Sequence, residues 1–203
     1  MDSMIAIVDY GMGNLRSVQK ALEKVGAQAR ITFSSNDIVR ADKVILPGVG
    51  AMAPAMAKLR QLGLTEAIRE VISAGKPFLG ICLGMQLLFE KSTEGGNVEG
   101  LKILKGTVER FTQGKVPHMG WNQIKIQPAG QSMYQGVTDG ADVYFCHSYY
   151  VVPKDLKIMA SVTDYGIGYA SSIAVRNIWG VQFHPEKSQT VGLKILKNFM
   201  EVK

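Results

Sequence analysis

Lys76-Pro77-Phe78-Leu79-Gly80-Ile81-Cys82-Leu83-Gly84-Met85-Gln86 reads as a buried strand that runs into a sharp turn and delivers one cysteine to the start of a helix. Residues 78–81 form a short continuous apolar run behind a proline, the pattern of a strand covered on both faces. From 83 to 90 the spacing predicts a helix. Gly80 and Gly84 stand two positions either side of Cys82, a small-x-nucleophile-x-small spacing in which side chains would collide with a tight turn. A thiol placed there lies at the positive end of a helix dipole, which favours thiolate over thiol. The unpaired first-turn amides, beginning with that of Leu83, face any oxygen beside it.

Toward the N terminus, strands alternate with helices. Residues 5–8 are a short apolar strand, 15–25 an amphipathic helix closed by Gly26, and 28–32 a second strand. Ser35 caps a short helix through Val39, and 43–46 is a third strand. Helices follow over 53–62 and 65–74, the latter capped by Thr65 and ended by Gly75. This succession implies a parallel doubly wound sheet with its functional residues at the carboxyl ends of strands, where Cys82 stands. Beyond a flexible loop over 92–97 come short strands at 107–111, 121–126, 143–150, 158–162, 167–175 and 178–183 that extend the sheet in antiparallel fashion. Ser188 or Thr190 then starts a C-terminal helix with Leu193, Leu196 and Met200 on one face. The expectation is a single α/β domain over residues 1–203: a mixed, mostly parallel sheet flanked by helices, with an antiparallel extension in the C-terminal half.

Of the 203 residues, 46% are hydrophobic and 20% charged, enough apolar material for one substantial core. No apolar segment reaches the roughly 18 residues a membrane span needs. Residues 1–8 carry an acid and no basic residue before Ile5, unlike a secretory leader, so the expected location is cytoplasmic. The two cysteines, Cys82 and Cys146, are then expected as reduced thiols, Cys146 in the core of a strand. A formal charge of +6 raises nucleic acid as a partner. The basic residues are spread along the chain without interleaved aromatics to stack bases, so no nucleic acid is expected, and a mildly basic surface suits an acidic protein partner instead.

An isolated cysteine in an apolar run is most often a small core residue. A second constellation changes the reading of this one. Gly180-Val181-Gln182-Phe183-His184-Pro185-Glu186 ends another strand in a polar turn. Glu186, held two residues on by the rigid proline, can accept a hydrogen bond from the imidazole and fix its tautomer, which lets His184 serve as base and acid. Cysteine followed by His-x-Glu makes a nucleophile, a base and an orienting group whose members can meet in a sheet despite their distance along the chain. The glycine-rich Asp9-Tyr10-Gly11-Met12-Gly13-Asn14 sits where a dinucleotide fingerprint would. Arg16, however, replaces its third glycine, and Arg30 supplies no carboxylate for a ribose. Pro117-His118-Met119-Gly120-Trp121-Asn122 has no second His or Cys at ligand spacing. No cofactor and no metal are expected.

Together these segments resemble the class I glutamine amidotransferases. The Gly80-x-Cys82-x-Gly84-x-Gln86 turn and His184-Pro185-Glu186 carry the superfamily likeness. Residues 9–17, Leu46-Pro47-Gly48-Val49-Gly50-Ala51, residues 117–122 and His147-Ser148-Tyr149-Tyr150 narrow it to the glutaminase subunits of imidazole glycerol phosphate synthase, over nearly the whole chain. Met52, where an aromatic is expected, is the one departure within 47–56. The resemblance implies hydrolysis of L-glutamine to glutamate and ammonia through a Cys82 thioester, with His184 as acid and base and Glu186 orienting it. It implies an oxyanion hole from the Leu83 amide and the Val49 to Gly50 backbone, the latter turned into place only when a partner signals. Gln86, the backbone of Gly50, Ser148 and Tyr149 would hold glutamine. The implied partner is a separate cyclase chain, a (β/α)8 barrel, in a heterodimer that uses the ammonia to form imidazole glycerol phosphate and aminoimidazole carboxamide ribotide in histidine biosynthesis. Tyr10, Asn14, Met119 and Trp121 would lie at that face, with Tyr10 and Trp121 as buried anchors. Other readings are the glutaminase subunit of another synthase such as anthranilate synthase, a cysteine peptidase or esterase, and a partner-binding module without chemistry.

Overall fold

In strand β1 (Met4–Val8) successive side chains point to opposite faces, and both faces are covered: Ile5 and Ile7 pack into one core, Ala6 and Val8 into another. The computed structural model describes residues 4–202; residues 1–3, which open the segment read against a secretory leader, and residue 203 lie outside them. Helix α1 (Leu15–Lys24) buries Val18, Ala21 and Leu22 on one stripe, and Gly26 at φ +88° turns the chain back into β2 (Gln28–Thr32). Helix α2 (Ser35–Arg40) is capped by Ser34 rather than Ser35, the Ser34 hydroxyl accepting from the Asp37 amide at 3.3 Å. Strand β3 (Lys43–Gly48) is buried throughout.

Helix α3 (Met52–Gln61) starts without a cap of its own; Glu94, from the loop expected to be flexible, accepts from the Met52 amide at 2.8 Å. In helix α4 (Leu64–Ser73) the N-cap is Gly63 in a left-handed conformation, not Thr65. Strand β4 (Phe78–Cys82) then enters the centre of the sheet, where both faces are covered and every residue is buried.

The helix after Cys82 is one turn long, α5 (Leu83–Gln86), and the chain re-emerges as β5 (Phe89–Ser92). The helix expected through residue 90 ends at Gln86, and the apolar run 87–89 that follows is buried as it turns into β5. The later strands are β6 (Val98–Glu99), β7 (Leu104–Arg110), β8 (His118–Gln123), β9 (Lys125–Ile126), β10 (Asp142–His147), β11 (Tyr149–Pro153), β12 (Met159–Asp164), β13 (Gly168–Val175) and β14 (Ile178–Val181), followed by helix α6 (Gln189–Glu201). Residues 143–150, read as one strand, break at Ser148. β10 pairs with β8 in a separate two-stranded ribbon, whereas β11 joins the large sheet.

That sheet runs β2-β1-β3-β4-β14-β13-β11-β7-β5-β6, with β12 and β9 beyond β13. Its β2 to β14 half is parallel, and from β14 to β13, β11 and β7 the pairing is antiparallel. Side chains of α1 and α6 cover one face and those of α2, α3 and α4 the other. The C-terminal ends of β3, β4 and β14 therefore lie side by side, and the segment around the Ser148 break meets them, the Cys146 carbonyl facing Cys82 and the Tyr149 carbonyl facing Gln86. Among the described residues no helix is long and apolar enough to cross a membrane.

Candidate active site

Cys82 sits at φ 55°, ψ −112°, a backbone conformation that L residues seldom adopt and that surrounding structure must impose. The imposing contacts are short. A Cβ on Gly84 would lie 1.7 Å from the Leu46 carbonyl oxygen, and one on Gly80 would lie 2.7 Å from the Gly84 carbonyl oxygen. The turn can thus pack against β3 only with glycine at both places, which is the physical content of the two-residue spacing around Cys82.

The sulfur opens onto a cavity of about 490 Å³, within the usual range for small-ligand sites. Val49, Gly50, Leu83, Gln86, Ser148, Tyr149 and His184 line it together with Cys82, so the residues read as nucleophile, base, oxyanion donors and substrate contacts converge on one space. Glu186 stands behind His184, its Oε1 2.9 Å from His184 Nδ1, with both side chains buried. That contact puts the Nδ1 proton toward the carboxylate and leaves Nε2 for chemistry on the sulfur side. Burial works to lower the imidazole pKa, but hydrogen bonding and charge from Cys82 and Glu186 outweigh it and push it up to about 10. His184 is therefore protonated at neutral pH. Val49 is exposed and Gly50 has φ +88°, so the loop beyond β3 lies open at the cavity rim.

Gln86 is more constrained than its sequence position suggests. Its Nε2 donates both to the Tyr149 carbonyl and to Gln182 Oε1, each at 2.9 Å, leaving only Oε1 for a ligand. Gln182, fully buried, in turn places Nε2 3.5 Å from the Cys82 sulfur. The cavity is also walled by His147, whose Nδ1 lies 2.8 Å from the Tyr149 carbonyl and must carry the proton there. His147 Nε2 meets His118 Nδ1 and the Tyr169 hydroxyl, both at 3.2 Å. Desolvation lowers the pKa of His118 to about 4. It is also the main cause for His147, which lies at about 3, the neighbouring imidazoles adding to it and the Tyr149 contact opposing. Sequence reasoning singled out neither Gln182 nor His118 as a site side chain, and placed His147 at the pocket only as part of the run 147–150. All three lie inside quoted motifs, and their signal was position at a strand end: His118 opens β8, His147 closes β10 and Gln182 directly follows β14.

The expected partner-face residues divide. Met119 and Trp121 project outward from β8 at 61% and 49% exposure, and Asn14 is exposed at the start of α1. Tyr10 is a correction: at 1% exposure it is packed in the core, its hydroxyl against Gly48, and its side chain offers a partner no surface. Cys146 is a second correction. It is half-buried on β10 and lines the cavity instead of filling a core. Among the described residues no three His, Cys, Asp or Glu side chains are grouped to hold a metal ion.

The class-I glutamine amidotransferase family matches residues 6–202. The imidazole glycerol phosphate synthase subunit HisH of Moorella thermoacetica is 55% identical over 199 residues, covering 98% of this chain and 94% of that protein. The HisH subunit of Syntrophotalea carbinolica is 54% identical over 205 residues, covering 97% and 98%. Among solved structures, PurLQS from Thermotoga maritima superimposes with a TM-score of 0.75 at 18% identity over 98% of both chains. A putative GMP synthase component from Thermoplasma acidophilum does so at 0.73 and 20% identity, over 98% of this chain and 93% of that one. Those two likenesses are of fold. From the family match and the near-full-length relatives, the chain belongs to the class-I glutamine amidotransferases, among the HisH subunits of imidazole glycerol phosphate synthase.

Proposed function

We propose that residues 1–203 form one catalytic unit that hydrolyses L-glutamine and hands the ammonia to a cyclase subunit, in histidine biosynthesis, in the cytoplasm. The observation that carries the reading is the His184 to Glu186 contact at 2.9 Å beside a cysteine held at φ 55° on the lip of a ligand-sized cavity. The Cys82 thiolate attacks the side-chain carboxamide carbon; a C–S bond forms and the carbonyl π electrons move to oxygen. The Leu83 amide and a backbone amide of Val49 or Gly50 donate to that oxygen. His184, protonated at neutral pH, gives its proton to the departing nitrogen, the C–N bond breaks, and ammonia leaves a thioester. Water then attacks the thioester carbon, His184 takes its proton, and C–S cleavage returns the sulfur and releases glutamate. Glu186 holds the ring in one tautomer throughout. Gln86 Oε1, with Ser148 and Tyr149, suits the ammonium and backbone end of glutamine.

The partner is a separate (β/α)8-barrel chain in a heterodimer. Exposed apolar Met119 and Trp121 on the ribbon whose other strand carries Cys146 into the cavity, and Val49 at its rim, support a docking face next to the site. Docking there gives neutral ammonia a path away from water, where it would be protonated and diluted. The Val49 to Gly50 backbone turns to the oxyanion when the liganded partner is bound. The test is glutamate release from L-glutamine by the chain alone and with the barrel chain carrying its ribonucleotide substrate, with mass analysis of Cys82 after a glutamine-like electrophile. Partner-stimulated release and a Cys82 adduct are expected. No release with the partner, or labelling elsewhere, defeats the reading, and full activity alone defeats the switch.

A further inference from the structure

The sulfur of Cys82 has neighbours that the mechanism above does not use. On one side the Cys146 carbonyl lies 4.0 Å away, a group that can only accept and so suits the thiol. On the other lies the side-chain amide of Gln182 at 3.5 Å. Which atom of that amide faces the sulfur is settled by a directed chain that starts at a backbone group. The Tyr149 carbonyl can only accept, so the Gln86 atom facing it at 2.9 Å is the nitrogen. That same nitrogen lies 2.9 Å from the Gln182 side chain, so Gln182 must present its oxygen there. Its nitrogen then points at Cys82. Gln182 at 0% and Gln86 at 5% exposure are buried, and Tyr149 is half-buried, so the two bonds that the Gln182 side chain makes are the ones shielded from water.

We infer that Gln182 is a catalytic residue of this site: its side-chain N–H donates to the Cys82 sulfur when that sulfur is negative, on attack and again when it leaves the thioester, and Gln86, anchored on the Tyr149 carbonyl, is the positioning residue that keeps the donor aimed. No proton is transferred along the chain; the hydrogen bond stabilises charge on sulfur, as donors to an anion do. The inference rests on the glutaminase reading for its purpose, but its geometry concerns only the sulfur.

The test therefore reads the sulfur directly, by the rate of Cys82 alkylation with iodoacetamide across pH, in the full chain without glutamine. Gln182→Leu, with an unchanged melting temperature, should alkylate about tenfold more slowly at neutral pH and shift the rise of the profile to higher pH. Gln86→Leu, which does not touch the sulfur, should move the same profile in the same direction by a smaller factor, because Gln182 loses its orienting partner. A Gln182→Leu profile superimposable on that of the parent protein overturns the inference. Should that variant not fold, Gln182→Met, close in length and with neither an N–H to donate nor a charge to repel the sulfur, decides: slower alkylation supports the donor, and an unchanged profile rejects it. If the parent protein alkylates at Cys82 but releases no glutamate even with the barrel partner, the glutaminase reading fails while the alkylation comparison still stands.

Discussion

His184 and the His118–His147 pair are buried alike, at 4%, 3% and 6% exposure, yet their ionisation moves in opposite directions. Burial disfavours the charged ring in all three. Only His184 has groups that repay a positive charge: the Glu186 carboxylate at 2.9 Å and the Cys82 sulfur. The other two face each other, the Tyr169 phenol and a carbonyl, and a charge on one ring would repel a charge on the other. Depth sets the cost of a charge, and the partner decides whether it is carried. The cavity consequently sets one protonated imidazole beside a pair that stays neutral.

The sharpest way to break this contrast is to take the partners of His184 away. Cys82→Ala removes the proposed nucleophile and one of the two groups that raise the ring; glutamate release should fall by about 10⁴-fold or more, because the sulfur held on the strained turn beside His184 is gone. Residual activity near that of the parent protein would mean that another group carries the chemistry. Glu186→Gln keeps the shape and removes the charge. Its glutaminase kcat should drop by about 10² to 10³, and the His184 titration followed by NMR should move well below 10. A ring that still titrates at the same pH would show that Glu186 is not what offsets burial.

How far this contrast could be read from sequence depends on whether a group's partner is near in the chain. The His184 to Glu186 bond spans two residues and a proline, so its geometry is local and legible. The parallel half of the sheet was legible for a similar reason, since alternating strands and capped helices repeat a short unit. The His118 to His147 contact spans 29 residues and depends on β8 and β10 pairing in a ribbon of their own, a pairing invisible while 143–150 read as a single strand. Ser148 carries no turn signal strong enough to break an apolar, β-branched and aromatic run. The same holds for Tyr10, where a glycine-rich loop suggested surface and only the tertiary packing against Gly48 makes it core.

The neutral pair predicts acid sensitivity. With folded pKa values of about 4 and 3 against 6.5 in the unfolded chain, the unfolded state binds more protons as pH falls below 6.5, so stability is lost on acidification through that window. The melting temperature should fall by several degrees as pH is lowered from about 6.5 toward about 4. His118→Phe keeps a ring stacked between Phe145 and Tyr165 while deleting one of the two titrating groups. The variant should lose about 1 kcal/mol at neutral pH for the hydrogen bond to His147 and show a shallower acid decline. An equally steep decline would assign the acid sensitivity to carboxylates instead.

His184 predicts the opposite slope, with a smaller total effect because one ring is shifted up where two are shifted down. Its folded pKa of about 10 lies above the unfolded 6.5, so between those values the folded chain holds a proton that the unfolded chain has released. The contribution is complete below about pH 6.5 and disappears as pH rises through about 10. Lysines and tyrosines also begin to titrate toward the upper end, so the parent curve alone does not isolate the effect. Glu186→Gln does: with the ring no longer held protonated, its melting temperature should stay flatter from about pH 6.5 upward, and the gap between the two proteins should narrow steadily toward about pH 10. A gap that is constant with pH would assign the role of Glu186 to packing and leave the protonated ring, on which both the acid step and the contrast with His118 and His147 depend, without support.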